Sequence, residues 1–293
     1  MTEAEIENKV AALEATGRFK VLRRVDLGPI SALADIQDAR TAIVVDTETT
    51  GLDRSRDEVI EIGMIAFSYD GNGTITHILD TFSALQQPQS SIPPVVQNLT
   101  GITDELVRGH SIDKAKLEAF VGKASLIVAH NAAFDRPMCE KLSSIFADKP
   151  WACSATEIDW RGLGFEGTKL AYILTQFGKF HESHRALDDC VALVSILREV
   201  VSVSDRSIFS LLLESARKTR FKISLPGAPS VRMAIRNRGY RWQPANSRRL
   251  GFWWKEFSEG DEKAEVSYLS ARGVSPQMIS TQQLTAFNRY KLA

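Results

Sequence analysis

Between Thr41 and Val203 the apolar residues fall in short branched runs separated by amphipathic stretches, a pattern of strands alternating with helices. AIVVDT is the first strong strand. EVIEIGMIAFSYD and THILDTFSAL flank a DGNG step whose Asp-Gly and Asn-Gly pairs suit tight turns, so these segments predict a β-hairpin. SLIVAH predicts another short strand, followed by a helix from about Arg136 to Phe146 with Pro137 in its first turn, where no amide donor is needed. A weaker element near WACSAT precedes helices over KLAYILTQF and HRALDDCVALVSILREV. In the last of these, Leu187, Val191, Val194, Ile196 and Leu197 make a broad apolar face. A hairpin feeding a βα repeat predicts an α/β fold, a mixed central sheet covered by helices.

The flanks behave differently. Ile6, Val10 and Leu13 predict a helix whose apolar stripe needs a partner, within an N-terminal extension over residues 1–40 that ends in the turn-rich connector DLGPISALADIQDARTA. With 293 residues there is room for one large or two modest domains. Hydrophobic residues at 44% and charged residues at 25% exclude a disordered or collagenous chain. Lys plus Arg equals Asp plus Glu at 36 each, but this balance hides a local excess. From Arg217 to Lys255 stand eleven basic residues (Arg217, Lys218, Arg220, Lys222, Arg232, Arg236, Arg238, Arg241, Arg248, Arg249, Lys255) and no acid, with Trp242, Trp253 and Trp254 among them. Acids follow at Glu256, Glu259, Asp261, Glu262 and Glu265. A second, small domain is expected over about residues 215–293. Its arginines and aromatics suit phosphates and bases, or else the tryptophans form a miniature core and the charges solvate it.

No secretory leader and no 18-residue apolar run is visible, so neither export nor a membrane span is expected. Three unpatterned cysteines, Cys139, Cys153 and Cys190, suit a reducing compartment, and a cytoplasmic location is the expectation.

Candidate chemistry begins with Asp46 and Glu48, two apart on one strand and therefore on one face. A cation would make that face tolerable; the alternative is a strand that simply ends there, with Asp46 capping a turn and Glu48 in water. Thr49, Thr50 and Gly51 form a polar exit able to lie against a ligand backbone. Asp135 stands at the mouth of the helix after SLIVAH, where a helix cap would also explain it. His184 and Asp189, five apart in HRALDD, complete the set; alone, His184 reads more readily as a satisfied surface or cap residue. Carboxylates at element ends with one histidine are what two hard divalent cations require for phosphodiester hydrolysis. The absence of a P-loop or dinucleotide fingerprint removes the usual support for nucleotide-cofactor readings.

VVDTETTG, HNAAFD and HRALDD resemble the three motifs of the DnaQ-like 3'-5' exonucleases, the subclass with four acids and a histidine on a ribonuclease H-like fold. The similarity runs over residues 42–203, with VVQNLTGITDELVRGH resembling the family's connecting segment, and implies an exonuclease domain over 41–204. It implies Asp46, Glu48, Asp135 and Asp189 as ligands of two Mg²⁺ or Mn²⁺ ions and His184 as general base. Leu52 resembles the apolar residue that contacts the terminal base, and Phe134 or Phe165 would stack or wedge. His130 and Asn131 match the loop before the third ligand. His130 also forms an H-x4-D pair with Asp135, so spacing alone does not choose the base; the resemblance selects His184 and leaves His130 as a substrate contact or a hydrogen-bonded stiffener of its loop. The implied substrate is the 3' end of single-stranded nucleic acid, DNA ahead of RNA, in repair or proofreading, with polymerase or sliding-clamp association left open. An RNA or oligonucleotide trimmer, and a non-enzymatic nucleic-acid-binding or clamp-associated protein, are the alternatives.

Overall fold

The longest apolar runs become the innermost strands. In the computed structural model, which describes residues 1–30, 40–202, 204–227, 231–245 and 250–292, β1 (Arg40–Thr49) pairs antiparallel with β2 (Val59–Tyr69), and β2 with β3 (Ile75–Leu85). On its other side β1 pairs parallel with β4 (Leu126–Ala129), and β4 pairs parallel with β5 (Trp151–Cys153). The order β3-β2-β1-β4-β5 is the expected mixed, ribonuclease H-like sheet. Every residue of β2 is buried, as its nearly unbroken apolar run requires when both faces are covered.

Helices α2 (Lys114–Gly122), α3 (Ala132–Leu142), α4 (Leu170–Gln176) and α5 (Ala186–Arg198) flank this sheet, after a preceding α1 (Glu3–Glu14) near the N-terminus. One core joins Ile43, Val45, Ile62, Met64, Ile127, Met138 and Trp151. The opposite face receives α5. Gly63 makes that approach possible: a Cβ there would stand 2.4 Å from the Ala186 carbonyl carbon and the Leu187 nitrogen, so the helix backbone rests directly on β2. All three cysteines are free and buried.

Two local expectations change. Helix α3 begins at Ala132, four residues before Arg136, and ends at Leu142. Pro137 is therefore interior, and with no amide it leaves the Ala133 carbonyl without its helical donor. Arg54 takes that place, donating from Nη1 to Ala133 O at 2.7 Å and tying the segment after β1 to α3. At the N-terminus, α1 opens with a capping box between Thr2 and Glu5, yet buries none of its residues; Ile6 and Leu13 are 40% and 43% exposed. The following Arg23–Arg24 pairs in parallel with Lys179–Phe180. Residues 31–39 of the connector lie outside the described residues. Among the described residues no helix is long and apolar enough to cross a membrane.

The chain divides into two compact units, residues 1–215 with 290–293, and residues 216–289. The smaller contains β6 (Arg220–Pro226), β7 (Arg241–Gln243), β8 (Phe252–Ser258) and β9 (Ser280–Leu284), antiparallel in the order β7-β8-β6-β9. With α6 (Arg232–Asn237) and α7 (Asp261–Ala271) it encloses Ile223, Leu225, Ile235, Tyr240, Trp253 and Leu269. Much of the basic run is engaged within this unit. Lys222 and Arg241 lie 4.6 and 5.7 Å from the Trp254 ring, Arg238 pairs with Glu265, Arg220 reaches Glu256 at 3.8 Å, and Lys255 donates to Arg238 O at 2.7 Å. Arg248 and Arg249 lie outside the described residues.

Trp253 is the largest side chain of this miniature core and is buried on β8. Trp253→Ala is expected to destabilise residues 216–289 by about 3–5 kcal/mol, the usual range for a buried tryptophan. Hydrogen exchange by mass spectrometry checks this: β6 and β8 amides should lose protection while those of β1 and β2 keep it.

Candidate active site

β1 runs through the middle of the sheet, so its carboxyl end carries side chains into a space walled by its neighbours. Alternation along the strand gives Asp46 and Glu48 one face, and both are partly buried. Asp189 comes from the first turn of α5. One carboxylate oxygen from each of Asp46, Glu48 and Asp189 lies within 4.8 Å of the others. Asp135 stands outside this trio, buried in the first turn of α3, where its Oδ1 accepts a 2.9 Å hydrogen bond from Thr47 Oγ1.

Burial and mutual repulsion oppose ionisation here. Loss of solvent pushes the Asp46 carboxyl well above its usual range, reinforced by Asp135, Asp189, Glu48 and Glu61. Burial first, then the charges of Asp189, Glu61 and Asp135, raise Glu48 to about 7, with Arg185 opposing. Burial raises Asp135 to about 7 against the stabilising hydrogen bonds from Thr47 and backbone amides. Hard oxygen donors crowded together in this way fit one or more hard divalent cations.

The histidines are arranged less simply than their spacing suggests. His184 precedes α5 rather than lying on it, with φ of +73° and an exposed side chain. Its backbone amide donates to Asp189 Oδ2 at 3.0 Å, while its ring makes no hydrogen bond to a described residue. His181 fills the nearer position, its Nε2 2.7 Å from Asp189 Oδ1. Both ring nitrogens of His130 are occupied: Nδ1 lies 2.8 Å from Ser154 Oγ and Nε2 2.6 Å from Thr168 O. Burial lowers the His130 pKa, and the ring joins β4 to the loop before α4.

The segment after β1 is a braced turn. Thr49 Oγ1 donates to Gly51 O at 2.6 Å, Thr50 Oγ1 donates to Asp57 Oδ1 at 3.1 Å, and a Cβ at Gly51 would meet Asp57 Oδ2 at 2.5 Å. Leu52 projects from it, 86% exposed. Asn131 is exposed immediately before α3, and Phe134 is half-buried against the core. Phe165 packs between Trp160 and Phe177, at 5.1 and 5.4 Å between ring centroids.

Sequence reading did not single out His181, Glu61 or Arg185. Glu61 faces Glu48 across the β1–β2 ladder and is 1% exposed. Arg185 binds it with Nη2 2.7 Å from Oε1 and Nε 3.1 Å from both oxygens, and the Ala186 amide donates to Oε2 at 3.0 Å. An acid inside the apolar run EVIEIG was the available signal for Glu61.

The sequence profile of the RNase T exonucleases matches residues 43–197. The chain belongs to this exonuclease family. The match covers β1 through α5 and all the motif residues, and identifies a DnaQ-like 3'-5' exonuclease domain. Over 170 residues the exonuclease is 30% identical to DNA polymerase III subunit epsilon of Treponema pallidum, covering 54% of this chain and 74% of that protein. Over 166 residues it is 34% identical to DNA polymerase III PolC-type of Clostridium perfringens, covering 53% of this chain but 11% of that protein. Among solved structures it resembles exonuclease X in complex with 5' overhanging duplex DNA, with 22% identity and a TM-score of 0.45 over 59% of this chain and 99% of that one.

The raised carboxyl pKa values give the metal-free exonuclease a defined pH dependence. Between about pH 4 and pH 7 the folded state holds protons on Glu48 and Asp135 that the unfolded chain has released, so stability falls as pH rises through this window. Thermal melts in chelator should show the midpoint falling from pH 4.5 to pH 7.5, with a shallower fall in Glu48→Gln. An equal pH slope in the two proteins would contradict the shift at Glu48.

Proposed function

We propose that this exonuclease uses two divalent cations, Mg²⁺ or Mn²⁺, to hydrolyse the 3'-terminal phosphodiester of single-stranded or frayed DNA, releasing nucleoside 5'-monophosphates. The convergence of Asp46, Glu48 and Asp189 within 4.8 Å carries the reading. Asp46, Glu48 and Asp189 would hold the cations, and Asp135, hydrogen-bonded to Thr47 between the two strand acids, would complete the set. Cations bound there supply Lewis acidity that acidifies the attacking water and takes up charge on the departing 3' oxygen.

The chain's own residues do the rest. β1 presents Asp46 and Glu48, and the first turn of α5 presents Asp189, as the oxygen donors that would hold the cations. His184, beside Asp189 by its backbone amide and with a ring that makes no hydrogen bond to a described residue, accepts the proton from water. Exposed Leu52 meets the terminal base, with Thr49, Thr50, Gly51 and Asn131 along the strand's backbone and Phe134 behind it. Such contacts ignore base identity, as removal of any 3' nucleotide requires. His130, with both nitrogens engaged, holds the loop that carries Asn131. The polymerase III names of the similar proteins favour DNA over RNA and a place in replication or repair, with a polymerase as candidate partner.

Asp46→Asn and Asp189→Asn are expected to remove hydrolysis while leaving the fold intact, because an amide poorly replaces an ionised ligand of a hard cation. Stepwise shortening of 5'-labelled strands and release of labelled mononucleotide from matched 3'-labelled DNA and RNA oligonucleotides, with Mg²⁺, with Mn²⁺ and with chelator, tests activity, polarity and sugar preference together. Turnover near the unsubstituted rate in either folded variant would overturn the assignment of the metal ligands.

His184→Ala should slow single-turnover cleavage by about 10²-fold or more, the scale of a lost general base. His181→Ala and His130→Ala should matter less. A larger loss for His181→Ala than for His184→Ala would transfer the base role to the ring that touches Asp189.

A further inference from the structure

Glu61 is a fifth carboxylate beside the site, and its position makes it look like another ligand. Its hydrogen bonds assign it elsewhere. Oε1 is taken by Arg185 Nη2 at 2.7 Å, Oε2 by the Ala186 amide at 3.0 Å, and Arg185 Nε bridges both at 3.1 Å. The side chain is 1% exposed, so the pair is anchored in the sheet, while the Arg185 side chain is 47% exposed. Two residues along the same strand, Gly63 lies against Ala186 and Leu187, where no Cβ would fit. Strand β2 thus grips the first turn of α5 by a forked ion pair, an amide bond and a backbone contact.

What is gripped leads straight to the catalytic groups. Arg185 is the N-cap residue of α5, and its carbonyl accepts the Asp189 amide at 3.0 Å. The residue before it is His184. Moving Arg185 therefore moves both.

We propose that Glu61 and Arg185 are positioning residues: the buried carboxylate, by joining the Arg185 guanidinium to the Ala186 amide, sets where Asp189 and His184 stand relative to Asp46 and Glu48. The pair also keeps Glu61 from acting as a free anion at the cation site, since the guanidinium neutralises it. The proposal rests on the reading of Asp189 and His184 as catalytic. It adds that their placement is fixed by β2 rather than by the helix alone.

Arg185→Ala, Arg185→Lys and Glu61→Gln in the full chain test it with two independent readouts. The first is kinetic. At saturating Mn²⁺, Arg185→Ala should lower kcat by about 10²-fold, the scale of an ångström-sized misplacement, with KM for a labelled oligonucleotide changed by less than about threefold. Arg185→Lys should recover only a small part, because an ammonium lacks the fork. Ethylguanidinium in the buffer should restore about tenfold or more to Arg185→Ala, by filling the partly exposed cavity and re-pairing Glu61.

The second readout needs neither metal nor turnover. Hydrogen exchange of metal-free Arg185→Ala should quicken at residues 186–190 while residues 43–45 of β1 stay protected. If Arg185→Ala does not fold, Glu61→Gln is read instead; its amide oxygen still accepts from Ala186, and the same pattern is expected with a smaller loss. A kcat within about threefold of the unsubstituted enzyme overturns the proposal. So does a loss of kcat without faster exchange in the first turn of α5. His184→Ala runs in parallel: if it leaves turnover intact, the base assignment fails, and the exchange measurement alone decides whether the clamp exists.

Discussion

The constraint on which this exonuclease domain depends is the repulsion among carboxylates that its fold forces together. Asp46, Glu48 and Asp189 meet within 4.8 Å, in surroundings dry enough to raise Asp46 and Glu48 well above ordinary carboxyl values. No chain would gather these groups for stability. A site that binds hard cations needs the donors placed beforehand, so the energy that holds them must come from elsewhere in the molecule. It comes from the wholly buried strand β2 and the apolar core around Ile62, Met64 and Trp151.

The placement works through a few rigid links. Asp46 and Glu48 are fixed by the β1–β2 ladder, in which Asp46 faces Gly63 and Glu48 faces Glu61. These two partners are the residues that receive α5, one by having no side chain and the other by its carboxylate. The same two rungs therefore set both the strand-borne and the helix-borne acids. A similar economy joins α3: Thr47, between the two strand acids, bonds Asp135, and the carbonyl freed by Pro137 takes Arg54 from the turn after β1. Neighbouring residues of β1 and its exit thus locate three separate elements.

Much of this was legible before any coordinates. Short branched apolar runs and turn dipeptides marked β1 through β4, and the motif acids stood out because charged residues at strand and helix ends need a reason. The misplaced start of α3 has a specific cause. Proline was read as a first-turn residue, whereas a side chain from a distant segment, Arg54, satisfies the carbonyl that an interior proline leaves open. Glu61 was hidden for a different reason: pairing with Glu48 is a matter of strand register, and its bond to Arg185 spans 124 residues. His181 was hidden because a spacing rule examines one residue pair, while the loop before α5 turns at His184, with φ of +73°, so that Asp189 meets the His184 backbone amide and the ring of His181.

Residues 216–289 show the converse, a sequence signal whose meaning changes once partners are known. A run of eleven cations without an acid suggests a strongly positive surface. In the folded unit Glu265 and Glu256, from the acidic stretch that follows, bind Arg238 and Arg220, and Trp254 carries Lys222 and Arg241 against its ring. Segregating the signs in sequence lets them meet across an antiparallel sheet, where register decides which charges are opposed; Lys222 faces Glu256 directly. Trp253 turns to the other side of the same strand and packs the core. Register thus decides which cations are turned to acids or rings within the unit, while Arg217, Arg232 and Arg236 are exposed outside these pairs. Sequence charge becomes surface charge only after the sheet has chosen its pairs.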